Sequence, residues 1–284
     1  MRIRPTILTT ALAAALLAGG TAGAVTVELS TFSGETLGVP GVTYRNGDIV
    51  RYDTDTQMAA VVFSEDTFSE LEDIDAWEVL SDGRVLLSTL GSATLGSLSF
   101  ENGSVVEWNG SAASILFDEN LFVDPVSADI DAVSLLPGGD LLLSTRGAAA
   151  LPGLLTGFSD GDIVRWNGSV ASIFFAEIDF GGGDLNVDAF DVDAVGRFLL
   201  STVDDVTLLN TLGLPEVFLN GDLILYDPAS NMAERVFPES VFGSAADIDA
   251  AAFAFAPVPE PTTASLLGLG LAGLAVAGRR RGPS

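Results

Sequence analysis

From residue 25 to residue 257 the chain is a series of short apolar or alternating runs, each bounded by Gly, Asn, Asp or Pro. Such runs are too short for stable helices and read as β-strands. Val85-Leu86-Leu87 and Leu141-Leu142-Leu143 are apolar on both faces, as expected of strands sandwiched between neighbouring sheets.

The runs recur in a fixed order. One strand ends in Ser-Thr, with serines at Ser30, Ser88, Ser144 and Ser201, about 57 residues apart. A Gly comes next, followed five residues later by an aromatic: Gly47/Tyr52, Gly103/Trp108, Gly161/Trp166 and Gly221/Tyr226. Then comes Phe-x-Glu, at Phe63/Glu65, Phe117/Glu119, Phe175/Glu177 and Phe237/Glu239. The last landmark is Asp-Ile-Asp-Ala or a relative of it, at 73–76, 129–132, 186–189 and 247–250.

Four strands per unit and four units predict an all-β, four-bladed β-propeller over 25–257. Turn chemistry agrees. Ser81-Asp82-Gly83 and Pro137-Gly138-Gly139 fit tight hairpins, as do Asn109-Gly110 and Asn167-Gly168. The array opens on a Ser-Thr strand and closes on an Asp-Ile-Asp-Ala strand, which are hairpin partners in the other repeats. Pairing 25–31 with 247–255 would close the ring and remove two sheet edges. A stacked β-solenoid or two β-sandwiches are the competing architectures. The blades also resemble NHL- and lactonase-type units, whose inner strand ends in Asp-Gly.

Alternating strand direction puts the segments 32–46, 90–102, 146–160 and 203–220 on one face as long loops. The starts of the inner strands share that face. Residues i and i+2 of a strand point the same way, so Asp73/Asp75, Asp129/Asp131, Asn186/Asp188 and Asp247/Asp249 are each expected to share a side. Two readings stay open. The carboxylates cap turns between blades, or they converge on the channel, where like charges call for a cation such as Ca²⁺. The metal candidates are therefore Asp73, Asp75, Asp129, Asp131, Asp188, Asp247 and Asp249. Asp184-x-Asn186-x-Asp188 has the spacing of a calcium loop but lacks its Gly and its bidentate Glu. Gly181-Gly182-Gly183-Asp184 is a single copy of a calcium-repeat-like run. Asn102, Asn109 and Asn167 sit in Asn-x-Ser sequons and read first as turn residues. Trp77, Trp108 and Trp166 read first as blade packing.

Composition narrows the function. The net charge is −27, with no His and no Cys. All 12 basic residues are arginine, and five of them lie outside 25–257. The body is thus more acidic than the whole chain. That excludes nucleic acid as a partner and leaves no nucleophile–base pair or zinc cluster. Catalysis would have to rest on carboxylates or a metal, so the chain is expected not to be an enzyme.

The ends carry a different pattern. Arg2 and Arg4, an apolar run over 6–17, and Ala22-Gly23-Ala24 form a signal peptide over 1–24, cut between Ala24 and Val25 by signal peptidase. At the other end Val258-Pro259-Glu260-Pro261 precedes an uncharged run over 264–278 and then Arg279-Arg280-Arg281. As a helix the run spans about 22 Å, short of a ~30 Å bilayer core, with the arginines on the cytoplasmic side. The segment 258–284 resembles the PEP-CTERM sorting signal. That resemblance implies a transmembrane helix, cutting by an exosortase, and delivery to the cell surface or extracellular matrix of a Gram-negative bacterium. It also implies an association with exopolysaccharide or biofilm. The expected role is non-catalytic binding or structure. A Ca²⁺-dependent lactonase- or lyase-like enzyme and a carbohydrate-binding module are the alternatives.

Overall fold

The computed structural model describes residues 25–124, 128–180 and 185–254. They form four four-stranded antiparallel sheets, the blades of a propeller. The second blade runs from the axis outward as Ile74–Val79, Val85–Thr89, Val105–Trp108 and Ala113–Phe117. The third is Ala132–Leu135, Leu141–Ser144, Ile163–Trp166 and Ala171–Phe175, and the fourth Val187–Val192, Phe198–Thr202, Leu223–Asp227 and Met232–Phe237.

The first blade takes its inner strand from the far end of the array. Ala250–Phe253 pairs antiparallel with Thr26–Ser30, in the register Val27↔Phe253 to Ser30↔Ala250. Ile49–Asp53 and Ala59–Phe63 complete that blade. The ring closes as the repeat offset predicts. Of the 247–255 expected, Ala250–Phe253 is strand, Asp247 and Asp249 precede it at the rim, and residue 255 lies outside the described residues. The signal segment, the sorting signal, the 264–278 run and the Gly181–Asp184 run fall outside the described residues.

Four apolar clusters glue the blades, one at each junction. Phe117, Val133 and Trp166 join the second blade to the third, and Phe180, Phe190 and Tyr226 the third to the fourth. Tyr52, Leu199 and Phe237 join the fourth to the first, and Phe63, Trp77 and Leu87 the first to the second. Edge-to-face aromatic contacts recur there, such as Tyr52–Phe237 at 5.3 Å and Phe117–Trp166 at 5.7 Å. The tryptophans therefore serve packing, and Trp77 adds an indole N–H donated to Glu28 Oε2 of the neighbouring blade.

Each landmark has a structural task. The repeated Ser hydroxyls donate to the carbonyls of Asn46, Asn102, Asp160 and Asn220, pinning the base of the next loop. The adjoining Thr hydroxyls donate two residues onward, to Ser33, Gly91, Gly147 and Asp204 carbonyls. The repeated Gly makes room. A Cβ there would stand 1.8 Å from Glu72 O, 2.1 Å from Ala128 O, 1.7 Å from Leu185 O and 2.0 Å from Ala246 O. These carbonyls belong to the connections that lead into the next inner strand. The residue after each Gly, Asp48, Ser104, Asp162 or Asp222, accepts the N–H of the Phe-x-Glu glutamate.

The far end of the axis holds a polar clamp. Asp191 of the fourth blade accepts Ser134 Oγ of the third at 3.0 Å and the Phe253 N–H of the closing strand at 2.8 Å. Glu78 of the second blade abuts the same carboxylate, and burial followed by the Asp191 charge pushes its pKa well up. One carboxylate thus touches residues from every blade.

Gly221→Ala should lower stability by about 1–3 kcal/mol through forced displacement of the Ala246 carbonyl. Gly138→Ala, where an added Cβ meets nothing within 4 Å, should be near neutral. Urea unfolding of the two variants checks this pair.

Candidate functional site

The segments expected to be long open loops are hairpins instead. Glu35–Leu37 pairs with Val42–Tyr44, Ala93–Leu95 with Leu98–Phe100, Ala149–Leu151 with Leu154–Phe158, and Val206–Leu209 with Pro215–Phe218. Each tucks an apolar face against its blade: Leu37 and Tyr44, Leu95 and Phe100, Leu151 and Phe158, Leu208 and Phe218 are buried. The signal was present. Tyr44, Phe100, Phe158 and Phe218 each stand three residues before the repeated Gly, a fifth landmark.

On the same face a cavity of about 150 Å³ opens on the axis. Its walls are Asp73, Asp75, Asp131, Asn186, Asp188, Asp247 and Asp249. Asp129 stands just behind, close enough to raise the pKa of Asp75. All four repeats contribute, because each inner strand begins at this rim. The four Asp residues nearest the strands are deeply buried: Asp75 is 5%, Asp131 4%, Asp188 5% and Asp249 9% exposed.

These side chains are only partly satisfied. Both oxygens of Asp75 and of Asp131 lack a hydrogen-bond partner, as does Oδ1 of Asp73, Asp129, Asn186, Asp188, Asp247 and Asp249. Buried polar atoms without partners are rare and costly. Burial pushes Asp73, Asp129 and Asp247 up to about 7. It pushes Asp75, Asp131, Asp188 and Asp249 well above the usual carboxylate range, and neighbouring carboxylates add to the effect. Among the described residues no three Asp or Glu side chains are placed to ligate a bare metal ion together.

Four more residues frame the mouth, one per repeat, each directly after its Ser-Thr pair: Phe32, Leu90, Arg146 and Val203. Their N–H groups donate to the carbonyls of Asp247, Asp73, Asp129 and Asn186, each at 3.0 Å. The backbone is fourfold here and the side chains are not. Sequence reasoning missed these positions because the landmark is the Ser-Thr before them, and the next residue varies. The Asn-x-Ser residues Asn109 and Asn167 act as turn residues, their side-chain oxygens accepting two backbone N–H groups each.

Comparisons with known proteins bear mainly on the C-terminus. Residues 257–281 match the PEP-CTERM protein-sorting motif. The motif marks an exported protein, held in the membrane before an exosortase processes it. No curated protein matches the chain. Solved structures similar to it include a nidogen/laminin complex, at 11% identity and TM-score 0.41, covering 82% of this chain and 99% of that one. Virginiamycin B lyase from Staphylococcus aureus is similar at 9% identity and TM-score 0.33, covering 75% of this chain and 88% of the other. A putative gluconolactonase follows at 14% identity and TM-score 0.34, covering 77% and 80%. At these scores none bears on what this chain does.

Stability should depend on pH through the ring. Its aspartates bind protons more tightly in the folded chain than in the unfolded one, where carboxyls titrate near ~4. The folded state is then favoured at low pH and loses that advantage as pH rises through about 7, the value reached by Asp73, Asp129 and Asp247. In chelator, the urea midpoint should fall between about pH 5 and pH 8. Asp131→Asn with Asp249→Asn should flatten the slope.

Proposed function

We propose that this chain is a non-catalytic binding protein of the cell surface or extracellular matrix, associated with exopolysaccharide, whose propeller takes a divalent cation on its axis. The supporting observation is the ring of buried, partnerless carboxylate oxygens around a cavity that opens on the hairpin face. Oxygen-only donors suit a hard ion such as Ca²⁺, which takes six to eight oxygen ligands, water among them. A cation in this cavity is held partly through its own water, or after side-chain rotation, since the carboxylates do not converge on one point. The cavity has room for several waters. A cation would also favour the charged carboxylates, against the burial and, second to it, the repulsion that lift their pKa values. The ligands would be Asp75, Asp131, Asp188 and Asp249, with Asp73, Asp129 and Asp247 outside them.

Two experiments test the two halves of this reading. Calorimetry of the body with CaCl₂ should give saturable heat that Asp131→Asn plus Asp249→Asn abolishes; a wild type that gives no heat defeats the cation reading. Replacing Pro259, Glu260 and Pro261 by alanine should leave the protein in the membrane fraction rather than at the surface or in the medium. Unchanged fractionation would defeat the delivery reading.

A further inference from the structure

The fourfold mouth is broken at one place. Phe32, Leu90 and Val203 are apolar, and the equivalent residue of the third repeat is Arg146. Arg146 stands out in a second way. Among the described residues the other six arginines, Arg45, Arg51, Arg84, Arg165, Arg197 and Arg235, each hold an ion pair. Arg146 holds none, although it lies near enough to Asp73, Asp129, Asp131, Asp247 and Asp249 to lower their pKa values. Its side chain is exposed and its guanidinium donors are free at the rim of the cavity. Across the mouth, on the first blade, Phe32 is 53% exposed, a large aromatic left on the surface.

We propose that the site's organic ligand is a sugar acid. Three features each select one part of it. The guanidinium fork matches a carboxylate, which it binds in bidentate fashion. The exposed Phe32 ring offers an apolar platform of the kind the carbon face of a sugar ring covers. The partnerless oxygens of Asp75, Asp131, Asp188 and Asn186 accept hydroxyl donors or ligate the ion those hydroxyls also ligate. A neutral sugar leaves Arg146 unpaired, and a simple fatty acid leaves the oxygens unpaired. The cavity volume of about 150 Å³ admits a hydrated ion and the acidic end of a sugar rather than a whole chain segment. The sugar therefore sits across the mouth, with its carboxylate on Arg146. The part played by the ion rests on the cation reading above, whereas the Arg146–carboxylate contact does not.

The test is calorimetry on the body, folded as judged by circular dichroism, with sodium glucuronate and with glucose, each with and without CaCl₂. Glucuronate should bind and glucose should not. Arg146→Leu should weaken glucuronate at least about tenfold, the worth of a lost charged hydrogen bond, while CaCl₂ heat persists. Arg146→Lys should recover part of the loss, and Phe32→Ala should weaken binding without changing the preference for the acid. Equal binding of glucuronate and glucose overturns the proposal, as does an Arg146→Leu variant that binds glucuronate normally. If Arg146→Leu only tightens Ca²⁺ and no sugar acid binds the wild type, Arg146 is an internal counter-ion and the proposal fails. Glucuronate binding to the wild type with no CaCl₂ heat sinks the cation reading alone and leaves the carboxylate contact standing.

Discussion

Everything in this molecule depends on the pairing of Thr26–Ser30 with Ala250–Phe253. The partners come from opposite ends of the repeat array, so the pairing carries the largest loop-closure cost in the fold. It makes up for that in two ways. It completes a blade that would otherwise expose two sheet edges, and it seats Ala250 and Ala252 in the cluster between the first and second blades. The Asp191 clamp reinforces it by holding the Phe253 N–H from the neighbouring blade. Without closure the four inner strands have no common axis, and the carboxylates at their starts have no common cavity.

The two ends of the axis handle buried acid differently. At the clamp, Asp191 is satisfied by a hydroxyl and by backbone N–H groups, and of its neighbour Glu78 only Oε2 is without a partner. At the mouth, comparable burial leaves a majority of the ring oxygens with no partner. A fold able to satisfy one buried carboxylate so fully has left others bare within the same channel.

Much of this was readable in the chain. The Ser-Thr, Gly, Phe-x-Glu and Asp-Ile-Asp-Ala landmarks repeat because each performs the same backbone task in every blade, and such tasks tolerate few residue types. Gly47, Gly103, Gly161 and Gly221 recur because a carbonyl occupies the space of a side chain. The closing strand was legible because the array is offset by one landmark. The hairpins over the mouth were not, since the Tyr44, Phe100, Phe158 and Phe218 signal lay inside segments read as loops. The clamp escaped for a deeper reason. Its members Glu78, Ser134 and Asp191 occupy similar places in their blades yet differ in type, so repetition could not flag them. Arg146 was hidden in the same way: a fourfold template shows what the repeats share, and Arg146 stands where they differ.

Strand polarity has a further consequence. The closing strand starts beside Asp249 at the rim and runs away from it to Phe253 and Ala254, while the chain enters the first blade at Val25 and Thr26 on that same distant side. The described chain therefore enters and leaves the ring on one side, and its acidic well opens on the other.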